Sequence, residues 1–180
     1  MKNILVTGGA GFIGSCFVRR MTKSHPEFNI IAYDKLTYAG NMDNLLPVSG
    51  ASNFQFVQGD IADREAVMSA YETHGIDTVV NFAAESHVDR SILSPDAFIN
   101  SNTVGVHILL ESAQKHGIER FLHVSTDEVY GDIEGNHFSV EDDPFKPNSP
   151  YSASKAGGDL MVRAYHVTYG MNTIVTRGSN

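Results

Sequence analysis

Two groups of residues in this 180-residue chain have the types and spacing for proton and hydride chemistry. Tyr151 and Lys155 stand four apart near the start of a helix-compatible stretch, so they share one helical face, a turn apart. A tyrosine is a poor base at its ordinary pKa of about 10. An adjacent ammonium favours the phenolate, as would an oxidised nicotinamide. The pair could then take a proton from a substrate hydroxyl while hydride leaves the same carbon. The plain alternative is a tyrosine packed on a helix beside an exposed lysine. Ser125-Thr126-Asp127-Glu128 places a hydroxyl and two carboxylates in succession, a set able to serve proton transfers. Adjacent carboxylates need different environments to hold opposite protonation states. From its chemistry alone, the same run reads equally well as a helix N-cap with solvated acids.

A third group suits phosphate. Gly8-Gly9-Ala10-Gly11-Phe12-Ile13-Gly14 contains both GxGxxG (Gly9, Gly11, Gly14) and GxxGxxG (Gly8, Gly11, Gly14). It follows a strand-like run and opens a helix-like one, the setting the motif requires. Glycines permit a tight turn and let the backbone approach a pyrophosphate, while the helix N-terminus supplies N–H donors. Asp34 lies 20 residues after Gly14, at the end of the second strand-like run. A carboxylate there can accept from adenosine ribose hydroxyls and would repel a 2′-phosphate, which favours NAD over NADP. Lys35 beside it keeps that preference open. Asp60-Ile61 could meet the adenine edge, and Asp60 reads equally as a turn residue.

These groups need a scaffold that brings strand ends together. Asn3–Thr7, Asn29–Tyr33, Asn53–Val57, Thr78–Phe82, Arg120–Ser125 and Thr173–Arg177 read as strands, several almost continuously apolar, as in a parallel sheet covered on both faces. Phe12–Ser24, Asp63–His74, Asp96–Lys115 and Ser152–Tyr169 read as helices. Asp63 and Ser94 suit N-caps, Pro95 suits a first turn, and Gly75, Gly117 and Gly170 sit where helices should stop. The alternation predicts an α/β fold: a doubly wound, parallel-sheet Rossmann domain over residues 1–180 with six or more strands. Lys35–Ser52 and Gly131–Pro150 are expected to be long loops. Gly157 and Gly158 inside the last helix suggest a close helix–helix approach, and Cys16 is expected to be a packed thiol.

Composition narrows the function. With 42% hydrophobic and 19% charged residues the chain is ordinary globular protein. Its 13 basic and 21 acidic residues give a net charge of −8, which disfavours nonspecific binding to nucleic acid or anionic membranes. No apolar run approaches the roughly 18–20 residues of a membrane span. The glycine-rich stretch begins too soon after Met1 for a signal peptide. One cysteine cannot form an internal disulfide, and no Cys/His cluster has metal spacing. A cytoplasmic protein with no metal is expected.

Gly8–Gly14 together with Tyr151 and Lys155 resembles the extended short-chain dehydrogenase/reductase superfamily. Four blocks sharpen the resemblance: Asp34-Lys35-Leu36-Thr37-Tyr38-Ala39-Gly40-Asn41, Ala83 through Ile92, Ser125 through Gly131, and Ser149 through Ala156. Together they are similar to the dTDP-glucose 4,6-dehydratase family, from Lys2 to Asn180, and the Asp-Glu pair after Thr126 separates that family from the nucleotide-sugar epimerases. The resemblance implies a lyase acting on a nucleotide sugar with bound NAD. Tyr151, helped by Thr126 and Lys155, would deprotonate the 4-hydroxyl as hydride passes from C4 to NAD. Glu128 would remove the acidified C5 proton, Asp127 would protonate the departing 6-hydroxyl, and hydride would return to C6. By the same resemblance, the cofactor would be met by Gly8, Gly11, Phe12, Ile13 and Gly14, by Asp34, Lys35, Leu36 and Thr37, and by Asp60 and Ile61. Phe82, Ala83, Ala84, Glu85, Ser86 and Ser101, with Tyr151 and Lys155, would complete that set. Ser86, Thr126 and Asn180 would meet substrate. The family continues past Asn180 into a smaller lobe for the substrate's nucleotide. These 180 residues are therefore expected to be the NAD-binding, catalytic part without that lobe, and to form a homodimer.

Overall fold

The computed structural model describes residues 2–133, 135 and 138–179. Six strands form one sheet: β1 (Lys2–Thr7), β2 (Phe28–Asp34), β3 (Phe54–Gln58), β4 (Thr78–Asn81), β5 (Arg120–Thr126) and β6 (Thr173–Gly178). All pairings are parallel, in the order β3-β2-β1-β4-β5-β6. The chain winds outward from β1 to β3, then crosses back to place β4 on the other side of β1. The carboxyl ends of β1 and β4 thus flank the reversal point, where such sheets open a crevice.

Apolar residues on both faces of each central strand make this a three-layer Rossmann fold. Leu5, Ile31, Tyr33, Val79 and Phe121 face one core with Val67, Leu109 and Val162 from helices α2 (Arg64–His74), α5 (Val106–His116) and α6 (Pro150–Tyr169). Their alternates Ile4, Val6, Ile30, Ala32 and Val80 face the other core with Val18 of α1 (Phe12–Ser24) and with Leu45 and Val48. The edge strand β6 alternates half-buried and exposed residues.

Several local signals act as expected. The Asp63 carboxylate accepts from the N–H groups of Glu65 and Ala66 at the start of α2. Gly75, Gly117 and Gly170 end α2, α5 and α6 in the left-handed conformation. Ser149 and Ser152 form a reciprocal capping box at the start of α6.

Other expectations need correction. The single helix expected over Asp96–Lys115 is three pieces: α4 (Pro95–Ile99), a π-helical segment (Asn100–Gly105) and α5. Ser94 occupies the N-cap position but makes no side-chain cap bond there. A further helix, α3 (Val88–Leu93), and 3-10 turns at Met42–Val48 and Asp127–Tyr130 were not legible from periodicity. Cys16 is exposed, not packed. The reason is geometric: α1 buries Gly14, Ser15, Val18 and Thr22, and position 16 lies off that face. Gly157 and Gly158 do mark a close approach, and it lies within the chain. A Cβ on Gly158 would come 2.5 Å from the Asn102 carbonyl oxygen, and one on Gly157 would come 2.9 Å from Thr103 Oγ1. Among the described residues, no helix is long and apolar enough to cross a membrane.

Candidate active site

The glycine run leaves β1 and turns into α1. Gly8 has φ +66° and faces the chain leaving β4: a Cβ there would lie 2.7 Å from the Ala83 nitrogen. A Cβ on Gly14 would collide with the Gly8 carbonyl. Gly11 is the N-cap of α1 and offers no side chain, and the first turn has no acidic residue. The N–H groups of that turn therefore have no intrahelical acceptor and meet no competing carboxylate. This is a seat for an anion backed by a helix of 13 residues.

Asp34, 9% exposed at the end of β2, organises the next wall. Its Oδ2 accepts from the Ala10 N–H at 3.0 Å and its Oδ1 from the Leu36 N–H at 2.9 Å. Leu36 has φ +58°, a left-handed conformation that a branched side chain resists. The Asp34 bond holds it there, turning the chain away so that the carboxylate borders open space. Each Asp34 oxygen accepts from one backbone N–H and keeps acceptor capacity for a ribose hydroxyl. Lys35, which left the cofactor preference open, has its Nζ 3.5 Å from Asp60 and 3.8 Å from Glu85, and donates to Ser101 Oγ at 3.4 Å. It is drawn to carboxylates of the wall itself.

These residues border a cavity of about 490 Å³ between the strand ends. Of the residues expected at the cofactor, Gly8, Gly11, Phe12, Ile13, Gly14, Asp34, Lys35, Thr37, Asp60, Ile61, Phe82, Ala83, Ala84, Glu85, Ser86, Ser101, Tyr151 and Lys155 all line it. Leu36 does not; its N–H serves Asp34 and its side chain packs against the core beneath α1. Tyr33, Ala39, Gly40, Gly59, Val124 and Ser125 also line it and were not anticipated. The Ser125 hydroxyl is buried at that wall with no hydrogen-bond partner among the described residues. A cradle that a Cβ would fill and an unpartnered hydroxyl at the far wall fit an elongated polar ligand such as a dinucleotide.

Tyr151 and Lys155 close the inner end, both on α6 and both buried. Lys155 is 3% exposed and donates to the Val124 carbonyl at 2.8 Å. Burial pulls its ammonium down to about 8, against the opposing pull of Asp159. Burial raises the Tyr151 phenol; a Thr126 hydrogen bond lowers it, and the charges of Glu128 and Asp127 raise it further. Thr126 ends β5, accepts from the Glu128 N–H at 3.2 Å and donates to Asp127 at 3.3 Å. Thr126, Asp127 and Glu128 lie outside the cavity lining and reach Tyr151 from the 3-10 turn beside it. Thr126 caps the turn, and the charges of both acids act on the Tyr151 phenol. Asn180, expected at the substrate, lies outside the described residues.

One organiser escaped sequence reasoning. Asn102, in the π-helical segment, accepts from the Glu85 N–H and donates to the Glu85 carbonyl and to Ser154 Oγ, each at 2.9 Å. It clamps the Ala83–Ser86 wall to the helix that carries Tyr151 and Lys155. A π-type insertion often marks a functional site, but no local spacing announces it.

Known proteins share this arrangement. The family model described as GDP-mannose 4,6 dehydratase matches residues 5–180. A dTDP-glucose 4,6-dehydratase from Actinoplanes is 50% identical over 182 residues, covering 98% of this chain and 56% of the relative. The trifunctional Arabidopsis thaliana protein named UDP-glucose 4,6-dehydratase/UDP-4-keto-6-deoxy-D-glucose 3,5-epimerase/UDP-4-keto-L-rhamnose-reductase is 46% identical, covering 99% of this chain and 27% of the relative. The crystal structure of the dTDP-glucose 4,6-dehydratase DesIV from Streptomyces venezuelae, solved with NAD bound, superposes with a TM-score of 0.91 at 49% identity, covering 97% of this chain and 55% of that one. The chain spans about half the length of the curated dTDP-glucose dehydratases it matches. The glycine cradle, the sheet order and the match over nearly every residue agree: the chain belongs to the GDP-mannose 4,6 dehydratase family.

Proposed function

We propose that residues 1–180 form the NAD-binding, catalytic domain of a nucleotide-sugar 4,6-dehydratase, with dTDP-glucose as substrate and a dTDP-4-keto-6-deoxy sugar as product. The observation that carries this reading is the place of Tyr151 and Lys155 at the inner end of a cavity whose outer end is the glycine cradle, with Thr126, Asp127 and Glu128 at the turn beside Tyr151. The N–H groups opening α1 would seat the pyrophosphate, Asp34 the adenosine ribose, and Asp60-Ile61 the adenine side. Asp34 favours the cofactor without a 2′-phosphate. Bound NAD would supply a hydride acceptor for C4 and, once reduced, the hydride donor for C6 of the sugar.

The chain's own residues handle protons. Tyr151, held by Thr126 and one helical turn from Lys155 on α6, takes the proton of the 4-hydroxyl. The resulting ketone acidifies the C5–H, and the exposed Glu128 carboxylate removes that proton and returns it to C5 as hydride reaches C6. Asp127, half-buried on the same turn, protonates the departing 6-hydroxyl, and water leaves. Ser86, Thr126 and Asn180 are assigned to the sugar. An epimerase would use the same cradle and Tyr–Lys pair, but has no leaving hydroxyl for Asp127 to protonate.

The reading includes a cytoplasmic homodimer. Leu160 and Val167 of α6, and Ile99 and Val104, are exposed hydrophobic side chains that a second copy could cover. A single monomer mass by light scattering at micromolar concentration would overturn the dimer. The activity is tested by incubating the chain with dTDP-glucose and NAD and weighing the sugar nucleotide. Loss of one water supports dehydration. An unchanged mass in a chain that binds NAD limits these residues to holding the cofactor, and failure to bind NAD removes the reading.

A further inference from the structure

Beneath the Tyr151–Lys155 pair runs a buried string of polar side chains that the proposed mechanism does not use. The Thr7 hydroxyl donates to Asn81 Oδ1 at 2.5 Å. The Asn81 amide nitrogen donates to His123 Nδ1, at 2.9 Å. With Nδ1 accepting, the ring carries its proton on Nε2, and Nε2 faces Asp159 Oδ1 at 3.6 Å. Neither of those two buried atoms has a hydrogen-bond partner among the described residues. Asp159 Oδ2 accepts from Arg177 Nε at 2.8 Å, and Arg177 Nη1 donates to the Tyr130 hydroxyl at 2.8 Å. The string crosses β1, β4, β5, α6 and β6 and ends on the turn that carries Asp127 and Glu128.

Asp159 follows Lys155 by four residues on α6, one turn further along the same face. Both side chains are withdrawn from water, with Lys155 at 3% and Asp159 at 2% exposure. A buried ammonium with one hydrogen bond, to a neutral carbonyl, needs a countercharge to persist. The groups arranged about Lys155 are Tyr151 and Asp159 on its own helix, His123 on β5, Arg177 on β6, and Asp127 and Glu128 on the turn. Across the cavity stand Asp34, Lys35, Asp60 and Glu85. Of these, Asp159 is the one that supports the ammonium against burial. His123 is held neutral by its own burial and by the cations Lys155 and Arg177, so it faces Asp159 as a dipole and adds no charge.

We propose that Asp159 is a positioning residue of the active site: its carboxylate, fixed by Arg177 and faced by the His123 N–H, is the countercharge that keeps Lys155 an ammonium beside Tyr151. The role rests on Tyr151 and Lys155 being the proton-transfer pair of the proposed reaction, and its test needs neither substrate nor cofactor.

The test follows the side-chain carbon resonance of Lys155 against pH in protein labelled at lysine, for the unaltered chain, Asp159→Asn and Asp159→Glu. The unaltered midpoint is expected near 8. Asp159→Asn should lower it by about one pH unit or more, and Asp159→Glu, which keeps the charge, should bring it back toward the unaltered value. An unchanged midpoint in folded Asp159→Asn, or no recovery in Asp159→Glu, overturns the proposal. If Asp159→Asn does not fold, Lys155→Met reads the same coupling from the other partner, because two interacting sites shift each other equally. The Asp159 carboxyl midpoint should then rise, and an unchanged value overturns the proposal. A parallel NAD titration separates the two ideas: failure of the unaltered chain to bind NAD removes the functional reading, while the lysine midpoints decide the countercharge.

Discussion

Lys155→Met should make the domain more stable at neutral pH. An ordinary lysine titrates at 10.5, and burial brings Lys155 down to about 8. At about 1.4 kcal/mol per pH unit, that gap is worth about 3 kcal/mol against the folded state wherever both forms are protonated. The sign follows from linkage. A base with a lower pKa folded than unfolded holds fewer protons when folded, so stability rises as pH climbs from about 8 to 10.5. Below that window the full cost applies. Methionine keeps the length and apolar stem of lysine and fits irregular space. It leaves the Val124 carbonyl without its donor, a loss of about 1–2 kcal/mol. Asp159 keeps Arg177 as its partner. The net gain is about 1–2 kcal/mol at pH 7, a rise in Tm of about 2–8 °C for a domain this size. Urea unfolding of both proteins from pH 6 to pH 10 measures it. The gap should be widest below pH 8 and shrink above it. A variant less stable than the parent at pH 7, or a gap flat across pH 8 to 10, would refute the claim that the Lys155 charge is held at a cost.

The remaining predictions concern ligand binding and turnover. Asp34→Ala should weaken NAD about 10–100-fold, the loss of a charged acceptor worth about 1.5–3 kcal/mol, and should narrow the preference over NADP. Calorimetric titration of both cofactors checks it, and unchanged affinity for both would remove Asp34 from the ribose site. Gly14→Ala forces a Cβ into the Gly8 carbonyl, so NAD binding should be lost and stability should fall by about 1–3 kcal/mol. Tight NAD binding in that variant would mean the cradle is not the pyrophosphate seat. Where dehydration is seen, Glu128→Gln should slow it about 100-fold or more while reduced cofactor still accumulates. Product at the parent rate would reassign the C5 base.

Much of this architecture is legible in local spacing because local physics decides it. The strands around the reversal point are apolar on both faces, so their runs stand out in the sequence. Gly75, Gly117 and Gly170 end helices where a left-handed residue is required. Asp63 caps α2 through its own carboxylate. The cofactor wall is almost as legible, since cradle and ribose carboxylate lie at the ends of β1 and β2 at motif spacing. Thr126, Asp127 and Glu128 were balanced between a cap and a catalytic set until resemblance tipped them. The structure shows why spacing alone left the balance even: Thr126 does cap the turn, through the Glu128 N–H.

What the sequence hides is contact between distant segments. A continuous helix over Asp96–Lys115 is what the apolar spacing favours, and the π-helical break within it answers a tertiary demand. Asn102 must reach both Glu85 and Ser154, and its carbonyl must pass a helix with no side chain at Gly158. The same logic explains the paired glycines. They looked like a seam for another helix, and they are one, but the partner is the chain's own π-helical segment. Each glycine costs helix propensity locally, about 1 kcal/mol. That cost is offset only if the close approach fixes something, and here it fixes the distance between the cofactor wall and the helix that carries Tyr151 and Lys155. Helix propensity given up at Gly157 and Gly158 is therefore part of how the active site is positioned.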